Sequence, residues 1–203
     1  QALAQQKVEQ GLADARARVN RDGSRNASPV GAAVVLDPGN GQVLAMASYP
    51  TYDPRPFVDG IDDAEMAYLL DPANHFPLNN RAIQGQWAPG STFKPFVGYG
   101  ALMAGVLTPD TVFADRGGYQ IPGCTGAKCF RSNAGGNAYG NVRIDRALTV
   151  SSDAFFYNVG AQFWLHADRF GGEEGLQQYL RPWGLGAVTG SGLTGEKGGV
   201  LPT

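Results

Sequence analysis

QWAPGSTFKPF, residues 86–96, places a Pro89-Gly90 turn directly before a serine, with a lysine three positions after that serine. Proline presets φ and glycine tolerates the left-handed region, so the pair turns the chain sharply. A turn that delivers Ser91 to the first turn of a helix sets Lys94 on the same helical face, one turn further on. That is the spacing of a nucleophile and its base. A lysine serves as a base near neutral pH only when its charge is disfavoured, and burial beside Phe93, Phe96 and Trp87 would lower its pKa in that direction. By itself the S-x-x-K pattern also fits a solvent-facing serine cap followed by a lysine that snorkels along the surface.

Working outward, the residues from Ser91 to about Ala104 read as a helix closed by Gly105 and Pro109. Upstream, VGAAVVLDPGNGQVLAMASYP holds two apolar runs around Pro38-Gly39-Asn40-Gly41, which predicts a β-hairpin with buried strands. Residues 1–20 place Ala4, Val8, Leu12, Ala15 and Val19 at helical intervals and predict an amphipathic helix. Between hairpin and turn the chain reads as irregular, with a short helix at DDAEMAYLL. Residues 106–143 form a glycine-rich excursion with at most short strands. A second strong helix is predicted over about 152–167, with Ser151 as N-cap and Asp153 in its first turn. A shorter helix near GEEGLQQYL precedes a loop-rich end.

The chain has 203 residues, 43% of them hydrophobic, and a formal charge of −2, the balance of an ordinary soluble globular protein. The sixteen lysines and arginines are scattered rather than striped, which excludes a nucleic-acid footprint. No run approaches the ~18 to 20 apolar residues of a membrane span, and QALAQQKVEQ is too polar for a signal peptide. Any anchor is expected upstream. Cys124 and Cys129 fit either a small disulfide loop in an oxidising compartment or two of four metal ligands, and a metal would need carboxylates besides His75 and His166.

Ser151-Ser152-Asp153 is a second serine motif at a helix start, where serine most often serves as a plain cap. Ser24-Arg25-Asn26 matches S-x-N but lies in a loop before the hairpin. GSGLTG, residues 190–195, spells G-x-G-x-x-G, yet no apolar strand enters it and EKGGVLPT cannot start the helix that would hold a pyrophosphate. Neither histidine has a glycine-framed serine to serve.

In order and spacing, AVVLDPGNGQVLAMASYPTYDP, NNRAIQGQWAPGSTFKP and SSDAFFYNVG together resemble the transpeptidase domain of class B penicillin-binding proteins. YDPRPFVDGI is more similar to the penicillin-binding protein 2 elongation group than to the division group. The resemblance runs from about Val30 to Thr203. It implies the α+β penicillin-binding transpeptidase and serine β-lactamase-like fold, an antiparallel sheet packed between helices with an all-helical lobe beside it. Residues 1–203 are then one partial transpeptidase domain, led by a helix and loop over 1–29.

The resemblance implies a cell-wall acyl-transfer enzyme in which Ser91 is the nucleophile, Lys94 its base partner, and Ser151 and Asp153 the second motif. The donor would be a peptidoglycan stem peptide, β-lactams would acylate the same serine, and a membrane glycosyltransferase would be the partner at the periplasmic face of the cytoplasmic membrane. No cofactor is expected. Ser24-Asn26 falls on the wrong side of Ser91. The third family motif, K-T-G or K-S-G, is absent, and Lys197-Gly198-Gly199 lies in loop sequence too early to replace it, so the chain is expected to stop before the strand that binds the substrate carboxylate. Relatives often carry an acidic residue, a cysteine, a histidine and a second cysteine suited to zinc. Here Asp115 and Cys129 correspond to the first two, but Tyr139 and Ser152 stand at the others, so a Cys124–Cys129 disulfide is expected in place of a metal. Two other readings are a serine β-lactamase or β-lactam sensor of the same fold, distinguished by rapid turnover, and a non-catalytic scaffold of the elongation machinery, disfavoured by the retention of Ser91, Lys94 and Ser151 together.

Overall fold

The computed structural model describes residues 1–20 and 22–202. The chain divides into two compact units, one comprising residues 1–85 and 191–197 and the other residues 86–190 and 198–203.

The first unit begins with α1 (Ala2–Ala17), which lies against a hairpin of β1 (Gly31–Leu36) and β2 (Val43–Tyr49). Leu12 on the apolar stripe of α1 would come within 3.2 Å of a Cβ at residue 31, so Gly31 permits the close approach. Gln1 donates to Met46 O at 2.6 Å and accepts from Met46 N at 2.9 Å, tying the helix start to the β2 backbone. The strands are antiparallel, with Gly31 opposite Tyr49 and a register shift at Val35/Leu36. Asp37 closes the connecting loop: its carboxylate accepts from Gly39 N at 2.8 Å, and its own N–H donates to Gln42 O at 2.9 Å.

The apolar runs of this hairpin are not buried as their composition suggests. Val34, Val35, Leu36, Val43 and Leu44 are 43–58% exposed. A two-stranded ribbon with one helix against it has surface left over, and among the described residues no third strand pairs with β1 or β2. Beyond the hairpin come α2 (Pro56–Asp59), α3 (Asp63–Leu70), capped by the Asp62 carboxylate on Glu65 N, and α4 (Arg81–Gln84). Arg81 is buried, with its guanidinium donating to the carbonyls of His75, Phe76 and Asn79. Burial pulls its pKa below the usual value.

The second unit is built around α7 (Asp153–Leu165). Before it in the chain come α5 (Lys94–Met103), β3 (Phe113–Asp115), β4 (Gly118–Gln120), β5 (Phe130–Ser132), β6 (Gly140–Val142) and α6 (Ile144–Thr149). The strands form two small antiparallel pairs, β3 with β6 and β4 with β5. The Cys124–Cys129 disulfide, with Cα atoms 5.5 Å apart, closes the loop between β4 and β5. Helices α8 (Ala167–Phe170) and α9 (Gln177–Leu180) follow. Phe155, Phe156, Val159 and Phe163 of α7 join Ala101, Leu107, Val142 and Ala147 in one core. Gly98 and Gly100 leave α5 without side chains where Ile144 and Leu176 press against it, at 3.0 and 2.7 Å from the Cβ each would carry. This close packing fixes α5 and α7, the two helices whose first turns carry the predicted motifs.

Candidate active site

All four residues singled out from the sequence lie in the second unit, at the starts of α5 and α7. Gly90, at φ 58°, takes the left-handed turn for which glycine suits, and residues 90–93 form a tight 3-10 turn ahead of the α-helix. Residues three apart eclipse in such a turn, so Ser91 and Lys94 share a face. Thr92 Oγ1 donates to Pro89 O at 2.6 Å and the Lys94 N–H donates to Ser91 O. Ser91 is exposed, and its hydroxyl makes no hydrogen bond among the described residues.

Lys94 is 9% exposed. Its Nζ donates to Ser151 O at 2.8 Å, Ser151 Oγ at 2.9 Å and Asp153 Oδ1 at 2.6 Å, partners 57 and 59 residues away in the chain. Three oxygens match the three donors of an ammonium group. The apolar surface beside the amine is the Phe156 ring, 5.7 Å from Nζ to centroid, whereas Trp87, one of the neighbours suggested by sequence, is 60% exposed. The spacing of Phe156 on α7, one helical turn beyond Asp153, is the signal that would have found it.

The start of α7 corrects the sequence reading by one residue. Ser152, not Ser151, is the N-cap: its Oγ accepts from Phe155 N at 3.1 Å. Ser151 instead adopts φ 55°, a conformation uncommon outside glycine, and its N–H donates to Leu148 O at 3.1 Å. With the capping done by its neighbour, Ser151 turns both its hydroxyl and its carbonyl toward Lys94.

The competing motifs are not brought to this site. Ser24 and Asn26 both bond to Asn20 in the first unit. His75 belongs to the loop around Arg81, and His166 follows the last turn of α7. No helix follows residues 190–195 among the described residues. The four positions that the resemblance compares with a zinc set do not suit a metal here. Cys129 is oxidised to Cys124, the Asp115 carboxylate accepts from Ser152 and Asn133, and Tyr139 and Ser152 offer hydroxyls in place of imidazole and thiolate.

Comparison with known proteins identifies the family. Residues 31–203 match the penicillin binding protein transpeptidase domain. The peptidoglycan D,D-transpeptidase MrdA of Escherichia coli is 40% identical over 172 residues, covering 85% of this chain and 25% of that protein. A solved structure of a peptidoglycan synthase complex, described as coordinating polymerization and crosslinking, superposes with a TM-score of 0.82 at 34% identity, over 100% of this chain and 33% of that one. Pseudomonas aeruginosa PBP2 in complex with WCK 5153 gives a TM-score of 0.71 at 31% identity, over 97% of this chain and 40% of that one. The chain thus spans about a quarter of the length of the curated MrdA relatives. On the match across residues 31–203, with two serine-bearing helix starts meeting at a buried lysine, the chain belongs to the penicillin-binding protein transpeptidase family, on the side of PBP2 and MrdA.

Proposed function

We propose that this chain carries the acyl-transfer chemistry of a peptidoglycan D,D-transpeptidase and works through an ester at Ser91. The observation that supports this best is the Lys94 amine, set three residues after Ser91 by one helix start and held by Ser151 and Asp153 from another. In this mechanism Ser91 Oγ attacks the carbonyl carbon of the penultimate D-Ala of a stem peptide, and the hydroxyl proton passes to a neutral Lys94. The displaced carbonyl electron pair settles on oxygen, where the Ser91 backbone N–H, in the first turn of its helix and so without an intrahelical acceptor, can donate to it.

Collapse of the adduct breaks the peptide bond, and the terminal D-Ala leaves with a proton delivered from Lys94 through the Ser151 hydroxyl. Ser151 suits this relay because its Oγ can either accept from an ammonium or donate to a neutral amine across the same 2.9 Å. Asp153 orients the amine by accepting from it. The amine of a neighbouring stem peptide then attacks the ester, its proton returns through the same groups, and Ser91 regains its hydroxyl as the crosslink forms. A β-lactam undergoes the first attack, but its ring nitrogen stays tethered to the acyl group, so the ester persists.

The likeness to a peptidoglycan synthase complex supports a membrane glycosyltransferase partner and a place at the periplasmic face of the cytoplasmic membrane. The Cys124–Cys129 disulfide fits that oxidising compartment, while no helix among the described residues is long and apolar enough to cross a membrane. Incubating the full-length protein with a pentapeptide donor and an acceptor stem should release D-Ala and form crosslinked dimer, with penicillin blocking both. Rapid hydrolysis of penicillin without D-Ala release would mark a β-lactamase. Neither D-Ala release nor a penicillin adduct would leave only a scaffold role.

A further inference from the structure

Behind the Ser151–Asp153 turn lies a buried set of polar groups that no step above uses. Asp115 ends β3 at 1% exposure, and its carboxylate accepts from Ser152 Oγ at 2.6 Å, from Asn133 Nδ2 at 2.9 Å to each oxygen, and from Gly117 N at 2.8 Å. Burial pushes its pKa up, but the hydrogen bonds from Ser152, Gly117, Asn133 and the Tyr139 backbone outweigh that and leave it below the ordinary value.

An ionised carboxylate only accepts, and that dictates the orientation of both partners. Ser152 has one hydroxyl hydrogen, and giving it to Asp115 leaves a lone pair for Phe155 N at 3.1 Å. Asn133 turns its NH2 to Asp115 and to Asn137 O, so its Oδ1 must face outward, where it accepts from Ala154 N at 2.8 Å. Two N–H groups in the first turn of α7 are therefore satisfied by side chains that Asp115 orients. The residues on either side of Ser152 are Ser151 and Asp153, the two that hold Lys94 Nζ.

We propose that Asp115 is a positioning residue of the acyl-transfer site, fixing through Ser152 and Asn133 the first turn of α7 and with it the oxygens around Lys94. This rests on the acyl-transfer reading above. Asp115 does not touch the amine or the nucleophile; it acts through the backbone between them.

The test is single-turnover acylation of the full-length protein by a fluorescent penicillin, resolving the non-covalent dissociation constant from the acylation rate constant. Asp115→Asn keeps the shape but offers an amide donor where only acceptors fit, and should slow acylation about 10- to 100-fold, the cost of a reacting group misplaced by about an ångström, while affinity stays within ~2-fold. Val159→Ala, a truncation of the same helix in the core, is the control: it should lower the melting temperature and leave the acylation rate of folded protein near wild type. Asn133→Ala keeps the Asp115 carboxylate but removes one of the two side chains through which it reaches α7, and should slow acylation in the same direction while affinity stays within ~2-fold. If Asp115→Asn yields no folded protein, Asn133→Ala decides, with slow acylation by folded protein supporting the assignment and near-wild-type acylation overturning it. An acylation rate unchanged in Asp115→Asn, or lowered no more than in Val159→Ala, would overturn it too. Ser91→Ala run alongside separates the two levels: persistent labelling there removes the acyl-transfer reading itself, whereas its loss together with a normal Asp115→Asn removes only the role of Asp115.

Discussion

At the start of α5 the serine is exposed and its hydroxyl makes no bond among the described residues, whereas at the start of α7 three consecutive residues have polar side chains bonded on buried or half-buried surface. Both are helix N-termini, both carry serine, and both meet at Lys94. The difference matches the division of labour proposed for them. A nucleophile has to reach an incoming carbonyl, so its turn is open and held mainly by backbone, with Thr92 bonded to Pro89 O. The groups that hold the base have to stay still, so their turn is pinned by Ser152, Asn133 and Asp115, and Ser151 is held at φ 55°.

The largest effect that probes this contrast is expected at the shared residue. Lys94→Arg keeps a cation but removes the capacity to accept the Ser91 proton, and acylation by penicillin should fall by roughly 10²- to 10⁴-fold, the usual contribution of a general base, with a normal circular dichroism spectrum. Near-wild-type acylation in that variant would dissolve the link between the two helix starts.

Ser152→Ala comes next. It removes the cap of α7 and one donor to a buried carboxylate, and should destabilise the protein by about 1–3 kcal/mol, measured as a shift of the denaturant midpoint at constant slope. Thr92→Val, the side-chain bond at the open turn, should cost no more than ~0.5 kcal/mol. Equal costs at the two positions would mean that the turns do not differ in how tightly they are pinned.

The pH dependence sharpens the same contrast. Asp115 has its pKa lowered by folding, so the stability it contributes is fully present above its unfolded value near ~3.9 and is lost as pH falls through the folded value. The melting-temperature gap between wild type and Asp115→Asn should be flat above about pH 5 and shrink progressively below about pH 4. A gap that stays constant down to pH 2 would show that folding leaves the Asp115 pKa unchanged, and a gap that widens on acidification would show that Asp115 is held as the neutral acid.

Local chemistry made much of this legible. The Pro89-Gly90 turn, the three-residue step from Ser91 to Lys94, the hairpin around Pro38-Gly39 and the apolar run of α7 are all signals within a dozen residues. The bonding of Asp115 to Asn133 and Ser152 was not legible, because these partners lie 18 and 37 residues away and follow no period. The reading of Ser151 as the cap was off by one residue for a related reason: two adjacent serines suit the position equally until a lysine from another helix engages one of them. The exposed valines and leucines of the hairpin mark another limit. Composition reports what a strand can bury, and only its neighbours determine what it does bury.

The central claim is that Ser91 is the residue acylated, and intact-mass measurement after exposure to penicillin tests it most directly. The full-length wild-type protein should gain one penicillin mass that persists through denaturation, and peptide mapping should place it on Ser91, while Ser91→Ala should gain none. An adduct of the same stoichiometry on Ser91→Ala would contradict the account.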